Sequence, residues 1–329
     1  MTKKVLTMRI LIVGTDDGKF PGFTYQCKEA FKELGHEAKI FSFRKFKLHR
    51  TKFTNYLLNR WLFHIAENYN PDILLVNKGA NILSGIIEKL SNKGIKTVNW
   101  TLDDPFGKID RENKINNIAE YDYFFVFDPY YLKELKEINS NSYYLPCAAD
   151  PRNVHKEIIP LEKRKYQYDV SFIGSHEPHR EELLNKLVNY NLRISGYRWK
   201  KITSSLRGKV DEKIYLGYEM CKELNLSKIN LNIHALHSID GVNLRTFEIP
   251  ATNSFMLCDY FKEIPKLFRI GKEIVCYHNV EELKELIDYY LDEDNKEERD
   301  KITKKGHERV LKEHTIKQRM EKILDIVKR

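Results

Sequence analysis

Residues 234–258 read HALHSIDGVNLRTFEIPATNSFMLC. Two histidines, His234 and His237, follow an apolar run, and Asp240 with Gly241 makes a turn. The spacing after Asn243 predicts a helix over 243–251 with Arg245 in its first turn. Unpaired N–H groups at a helix start, the positive end of its dipole and a guanidinium together make a site for a diphosphate. Glu248, eight positions after Asp240, is a carboxylate able to accept from both hydroxyls of a ribose. Arg245 and Glu248 also stand three apart, so an ion pair on a helix surface explains them equally well. The two histidines have no third ligand near them, and no metal is expected.

A second candidate is the acidic pair in residues 100–105, WTLDDP. Asp103 and Asp104 close a predicted strand, and open α/β sheets place their active sites at the carboxyl ends of strands. Two neighbouring carboxylates can differ in pKa, so one can take the proton of a reacting hydroxyl. A turn in which Asp104 caps a helix is the plainer alternative. Asp16 and Asp17 end the first predicted strand, and Asp17 is the second choice for that base. Other motifs fail. Gly14, Gly18 and Lys19 miss the spacing of a phosphate loop by one residue, and Phe20 stands where a hydroxyl is needed. No strand is followed by Gly-x-Gly-x-x-Gly, and Asn77 stands where a phosphorylation receiver needs Asp.

The elements that must position these residues follow from alternating patterns. Short apolar runs at 9–14, 37–43, 72–77, 96–102, 123–127 and 143–146 read as strands, with helices near 23–34, 54–69 and 84–93. Residues 151–165, charged and holding two prolines, read as a linker. The pattern restarts with strands at 168–174, 192–195, 229–234, 254–258 and 273–277, a helix at 180–189 and helices from 280 onward. The expected organisation is an N-terminal domain over 1–150, a linker over 151–167, a second domain over 168–313 and a terminal helix, 314–329, returning to the first domain. Both domains are α/β, with doubly wound sheets.

The chain's 329 residues suit two cores, and 42% hydrophobic with 31% charged residues excludes a disordered or collagen-like chain. No apolar run reaches the ~20 residues of a membrane span. Five scattered cysteines without a Cys-x-x-Cys pair argue for reduced thiols in a cytoplasmic protein. The net charge is +9, and 38–66 holds seven Lys and Arg, many aromatics and no Asp or Glu. A solvated surface accounts for that strip, as does peripheral contact with anionic lipid. No nucleic-acid recognition module is visible.

Several short matches then combine. They are residues 172–175 (FIGS), Arg180, Gly196-x-x-Trp199, 227–233 (SKINLNI), 243–248 (NLRTFE), 271–275 (GKEIV), His314-Thr-x-x-x-Arg319 and WTLDDP. Together they resemble the CgeB-like, spore-maturation family of glycosyltransferases, within the two-Rossmann-domain GT-B superfamily. Asp240-x7-Glu248 is similar to the Glu-x7-Glu of many GT-B enzymes, one methylene shorter at its first acid. Asn253 stands where the family has Gly, and Asn is the next-best residue for a left-handed helix end. The resemblance implies a metal-independent transferase without a cofactor, moving a sugar from a UDP- or TDP-linked donor to a hydroxyl of a glycan, lipid-linked or protein acceptor, as in polysaccharide biosynthesis. It implies a donor in the second domain, an acceptor in the first and reaction in the cleft between. Glu248 would bind the ribose; Arg245, Ser175, Arg180 and amides near Asn243 the diphosphate; Tyr197, Trp199 or Tyr218 the base; and Asp240 the sugar. Gly174, His234, Thr246 and Phe247 would complete the donor site. An epimerase or hydrolase on the same scaffold, or a non-catalytic sugar-nucleotide sensor, stays open.

Overall fold

The structure, a computed structural model, describes residues 6–15, 22–43, 51–78, 81–107, 111–152, 156, 158–202 and 204–328. Asp16, Asp17 and the basic residues 44–50 lie outside them. The chain divides into two compact units, one of Met1–Cys147, Ile239–Gly241 and Ile316–Arg329, the other of Ala148–Ser238 and Val242–Thr315.

The first unit alternates β1 (Arg9–Gly14), α1 (Phe23–Glu33), β2 (Glu37–Ser42), α2 (Lys52–Tyr69), β3 (Ile73–Asn77), α3 (Ile86–Ser91), β4 (Lys96–Thr101), α4 (Arg111–Glu120), β5 (Tyr123–Val126), α5 (Leu132–Ile138) and β6 (Ser142–Tyr144). All strands are parallel, in the order β2-β1-β3-β4-β5-β6. β3 is buried along its whole length because helices cover both faces of a parallel sheet, so its sequence, ILLVN, is nearly all apolar. α2 starts on a capping box between Thr51 and Thr54 and ends at Asn70, whose φ of 46° is left-handed.

The second unit repeats the plan with β7 (Tyr168–Ile173), α6 (Pro178–Asn185), β8 (Leu192–Ser195), β9 (Val210–Asp211), α7 (Tyr218–Leu224), β10 (Ser227–Asn232), α8 (Arg245–Ala251), β11 (Met256–Asp259), α9 (Ile264–Leu267), β12 (Val275–Tyr277), α10 (Val280–Leu291) and α11 (Lys296–Glu313). Its parallel order is β12-β11-β10-β7-β8-β9. Val170, Phe172, Leu231, Leu257, Ile194 and Trp199 are central to its core. The last helix, α12 (Ile316–Val327), belongs to the first unit and packs on α1. There the Arg319 guanidinium donates to the carbonyls of Pro146 and Cys147, and burial holds its pKa down to about 10.

The two doubly wound sheets are those the sequence predicts. Residues 151–167, expected as a linker, are counted within the second unit. The reason is local: the Ile159 amide donates to Asn225 Oδ1 at 2.7 Å, and Arg164 donates to the carbonyls of Ile159 and Thr252. The helix expected from Asn243 starts instead at Arg245, and α6 starts two residues early, at a proline in its first turn. Asn253 takes φ 53°, the left-handed turn its type suggested.

His307 on α11 donates from Nδ1 to the Pro250 carbonyl at 3.1 Å. Burial holds its pKa below the usual histidine value, against the opposing pull of the carbonyl bonds. His36 is lowered too, by burial and then by Lys328. As pH falls through ~6.5 the unfolded chain takes up these protons before the folded one does, so stability is lost on acidification. The thermal midpoint should therefore fall between about pH 7.5 and about pH 5.5, and His307→Asn should flatten that slope. Equal slopes for parent and variant would reject the assignment.

Candidate active site

In the second unit the connection order reverses between β7 and β10, and at such a switch point the loops diverge and leave a crevice beyond the carboxyl ends. Gly174 and Ser175 follow β7, while Ile233 and His234 follow β10. Arg245, the first residue of α8, reaches this edge: its Nε donates to the Ile173 carbonyl at 3.1 Å. Its Nη1 pairs with Glu248 and meets Met220 Sδ. Arg245 and Glu248 keep part of their side-chain surface open, 21% and 15% respectively. The ion-pair reading of these two residues therefore holds, and it holds at the rim of the crevice.

The helix start differs from expectation. Asn243 Oδ1 accepts the Thr246 N–H at 3.1 Å, so the side chain closes one of the amides assigned to a diphosphate. α8 has seven residues, too short for much dipole. Thr246 is fully buried, receiving a bond from Asn232 Nδ2 at 3.0 Å. Phe247 is also fully buried, against Phe268 and His314. Neither of the two faces a ligand.

Arg180 is a correction as well. Its guanidinium donates to the Ile233 carbonyl at 2.8 and 3.1 Å and to the Ser175 carbonyl at 3.0 Å, and it pairs with Glu177 at 2.9 Å. Burial lowers its pKa. It ties the loop ends of β7 and β10 together and leaves the phosphate to other groups. Trp199 is fully buried and donates from Nε1 to the Gly174 carbonyl at 2.8 Å, so it supports the loop from beneath and cannot stack on a base. Tyr197 is half-exposed, and Tyr218 is half-buried with Lys156 over its ring at 4.9 Å. These two remain for that role.

His234 has both ring nitrogens engaged. Nδ1 meets Asp259 Oδ1 at 2.6 Å, Nε2 faces the Thr246 hydroxyl at 3.3 Å, and Phe261 covers the ring at 4.2 Å. It braces the crevice floor and does not reach a donor. His234, Cys258 and Asp259 stand close enough to share a metal ion, the one such group among the described residues. Hydrogen bonds explain the cluster, since Cys258 Sγ also donates to the Asp259 carbonyl at 3.2 Å. Burial pushes the Cys258 thiol well up, away from the thiolate that metals bind.

Asp240 belongs to the 239–241 stretch counted with the first unit. There the buried Asp128 carboxylate accepts the amides of Ile239 at 2.8 Å and Asp240 at 3.4 Å. The structure thus does not group Asp240 with Arg245 and Glu248. In the same unit Asp103 is exposed and pairs with Lys78 Nζ at 2.7 Å, while Asp104 Oδ1 accepts the Phe106 amide at 2.8 Å in a tight turn. The turn reading of Asp104 is therefore present, beside a small pocket that both acids line. Lys78, with φ 71°, was missed in the sequence, as were Asn99, Thr101, Asn117 and Tyr121 of that pocket. The signal was there: Thr97, Asn99 and Thr101 alternate with Val98 and Trp100 on a buried central strand.

This is the fold of the GT-B glycosyltransferases, two Rossmann-like units each with a six-stranded parallel sheet. Residues 178–325 match the family model described as glycosyl transferase-like. Sucrose-phosphate synthase from Thermosynechococcus elongatus superimposes with a TM-score of 0.69 at 11% identity, covering 98% of each chain. HepE from Anabaena, in complex with UDP and glucose, gives 0.69 at 10% identity over 98% of this chain and 99% of that one. A glycosyltransferase from Rickettsia africae gives 0.64 at 14% identity over 98% of both. No curated protein matches by sequence.

Gly196, at φ +137°, lies so close to the β7 loop that an added Cβ would stand 2.1 Å from the Gly174 carbonyl oxygen. Gly271, at φ +75°, has open space there. Gly271→Ala should cost only backbone strain, ~1 kcal/mol, whereas Gly196→Ala should lower the thermal midpoint further by displacing the Gly174 loop. Equal losses from the two variants would remove the close approach from the account.

Proposed function

We propose that this chain transfers a glycosyl group from a UDP- or TDP-linked donor to a hydroxyl of a glycan, lipid-linked or protein acceptor, in the manner of the CgeB-like enzymes it resembles. The carrying observation is Arg245, bonded to the last carbonyl of β7 at the switch point and paired with Glu248. A fixed guanidinium at that edge suits a diphosphate, and the neighbouring carboxylate suits a ribose. Neighbours crystallised with UDP and with UDP-glucose support this donor class.

In the proposed reaction the anomeric C–O bond to the diphosphate breaks and the leaving group keeps the electron pair. The acceptor oxygen bonds to the anomeric carbon and its proton passes to Asp104. Arg245 supplies the counter-charge that the diphosphate gains, so the proposal needs no divalent ion. Ser175, exposed after β7, and Tyr197 or Tyr218 complete the donor contacts; Asp240 and Asp103 are assigned to sugar or acceptor hydroxyls. Loss of a charge-assisted bond costs ~1.5–3 kcal/mol, so Arg245→Ala and Glu248→Ala should each weaken UDP binding at least about tenfold by calorimetry. Asp104→Asn should keep UDP affinity and lower turnover by about 100-fold or more. Unchanged UDP affinity in both donor-site variants would overturn the donor assignment.

We further propose a peripheral contact with anionic lipid on the cytoplasmic side. It is supported by α2, where Phe53, Tyr56, Leu57 and Trp61 are exposed together with Arg60, in a stretch without acids. Residues three and four apart share a helix face, and aromatic with basic side chains suits a headgroup layer. Among the described residues no helix is long and apolar enough to cross a membrane. Liposome flotation should recover the chain with anionic and not with neutral lipid, and Phe53→Ser with Trp61→Ser should abolish recovery. Equal recovery with both lipids would exclude this contact.

A further inference from the structure

The small pocket of the first unit, about 60 Å³, lies beyond the carboxyl end of β4 and against α4. Three residues of its lining each hold a buried oxygen, Asn99 Oδ1, Asn117 Oδ1 and the Tyr121 hydroxyl, with no hydrogen-bond partner among the described residues. The residues are only 1%, 5% and 4% exposed. An unsatisfied buried polar atom costs about 1–3 kcal/mol, so three in one cavity mark a place where hydrogen-bond donors arrive from outside the chain. Asn117 Nδ2 is anchored on the Ile82 carbonyl at 2.8 Å, which fixes how its amide is turned. Burial raises the pKa of the Tyr121 hydroxyl, against a smaller opposing pull from the Asn99 side chain, so that it keeps its proton.

At the mouth, Lys78 holds a left-handed backbone conformation that costs a non-glycine residue about 1–3 kcal/mol and that clusters at functional sites. Its ammonium neutralises Asp103, leaving Asp104 as the unbalanced acid at the rim. Of the remaining walls, Pro105, Ile118 and Phe124 are apolar, and the Thr101 hydroxyl donates to the Asp103 carbonyl at 3.3 Å. An occupant must therefore bring a hydroxyl or amine donor on a short apolar stem. A neutral hydroxyl gives up less hydration than an ammonium on entering such a site. The volume admits one such arm and not a sugar ring.

We propose that this pocket is a specificity subsite that takes the hydroxymethyl arm of a glycosyl acceptor. The CH2 group rests on Ile118 and Phe124, and the hydroxyl donates to Oδ1 of either Asn99 or Asn117 and accepts from the Tyr121 hydroxyl. The inference rests on the reading that the first unit receives a hydroxyl acceptor. It adds that the acceptor sugar is a hexopyranoside.

The test is saturation-transfer NMR on the full chain with methyl glucoside, methyl mannoside and methyl galactoside, each against methyl xyloside, which lacks the arm. UDP affinity is measured in parallel by calorimetry. At least one hexoside should bind about fivefold or more tightly than the xyloside, as expected for one buried hydrogen-bonded group. Tyr121→Phe removes a hydroxyl that makes no geometric hydrogen bond among the described residues, so the variant should stay folded, keep the parent's UDP affinity and lose that preference. No binding of any glycoside, equal binding of hexoside and xyloside, or an unchanged preference in Tyr121→Phe would overturn the proposal. So would a crystal structure with the hexoside that shows only water in the pocket. Failure of UDP to bind with the hexoside preference intact would support the subsite and reject the donor reading alone.

Discussion

One hydrogen bond organises the second unit's site: Arg245 Nε on the carbonyl of Ile173. It joins the first residue of α8 to the last residue of β7, and so sets how far the helix start stands from the strand end. Arg180 makes the matching tie from α6 to the carbonyls after β7 and β10. A guanidinium is tolerated in a half-buried place only when its donors are used, and strand-end carbonyls, which have no further partner in the sheet, use them. The two arginines therefore hold the loops at the switch point by satisfying carbonyls that would otherwise be exposed.

The first unit places polar side chains on its central strand instead. Its central strand β4 carries Thr97, Asn99 and Thr101 on one buried face, and Asp122 takes up Thr97 through its hydroxyl at 3.0 Å and its amide at 2.7 Å. Farther along, Asn99 Oδ1 and Asn117 Oδ1 have no hydrogen-bond partner among the described residues. The base of this strand is thus a closed structural network and its carboxyl end an open one. A chain that alternated only apolar residues there would pack better and recognise nothing.

Much of the fold was legible because parallel strands covered on both faces read as unbroken apolar runs, as in β1 and β3. Asn253 was legible because a left-handed helix end is a local matter. α4, with the sequence RENKINNIAE, was not, since few apolar residues mark its face and its neighbours hold it in place. The two-residue β9 was too short to show a pattern. At the site, residue types were readable and partners were not. A basic residue after a strand was visible at Arg180, but whether it meets a phosphate or a carbonyl depends on Ile233, 53 residues away. Trp199 in Gly-x-x-Trp suits a base as well as a core, with core packing the commoner fate of an aromatic, and its bond to the Gly174 carbonyl is what the sequence does not show. The function itself came from the resemblance, since charge and composition distinguish partners only coarsely.

Neither compact unit is a continuous piece of chain. The first unit's sheet is complete by residue 144, yet the helix that packs on α1 and the arginine that holds the carbonyls of Pro146 and Cys147 come from the final residues of the sequence. During synthesis the earlier sheet must therefore wait, with that flank uncovered, until residues 316–327 have been made. A fragment cut after Cys147 would lack its own last helix, so limited proteolysis or gene splitting at the middle of the chain should not yield two self-sufficient halves.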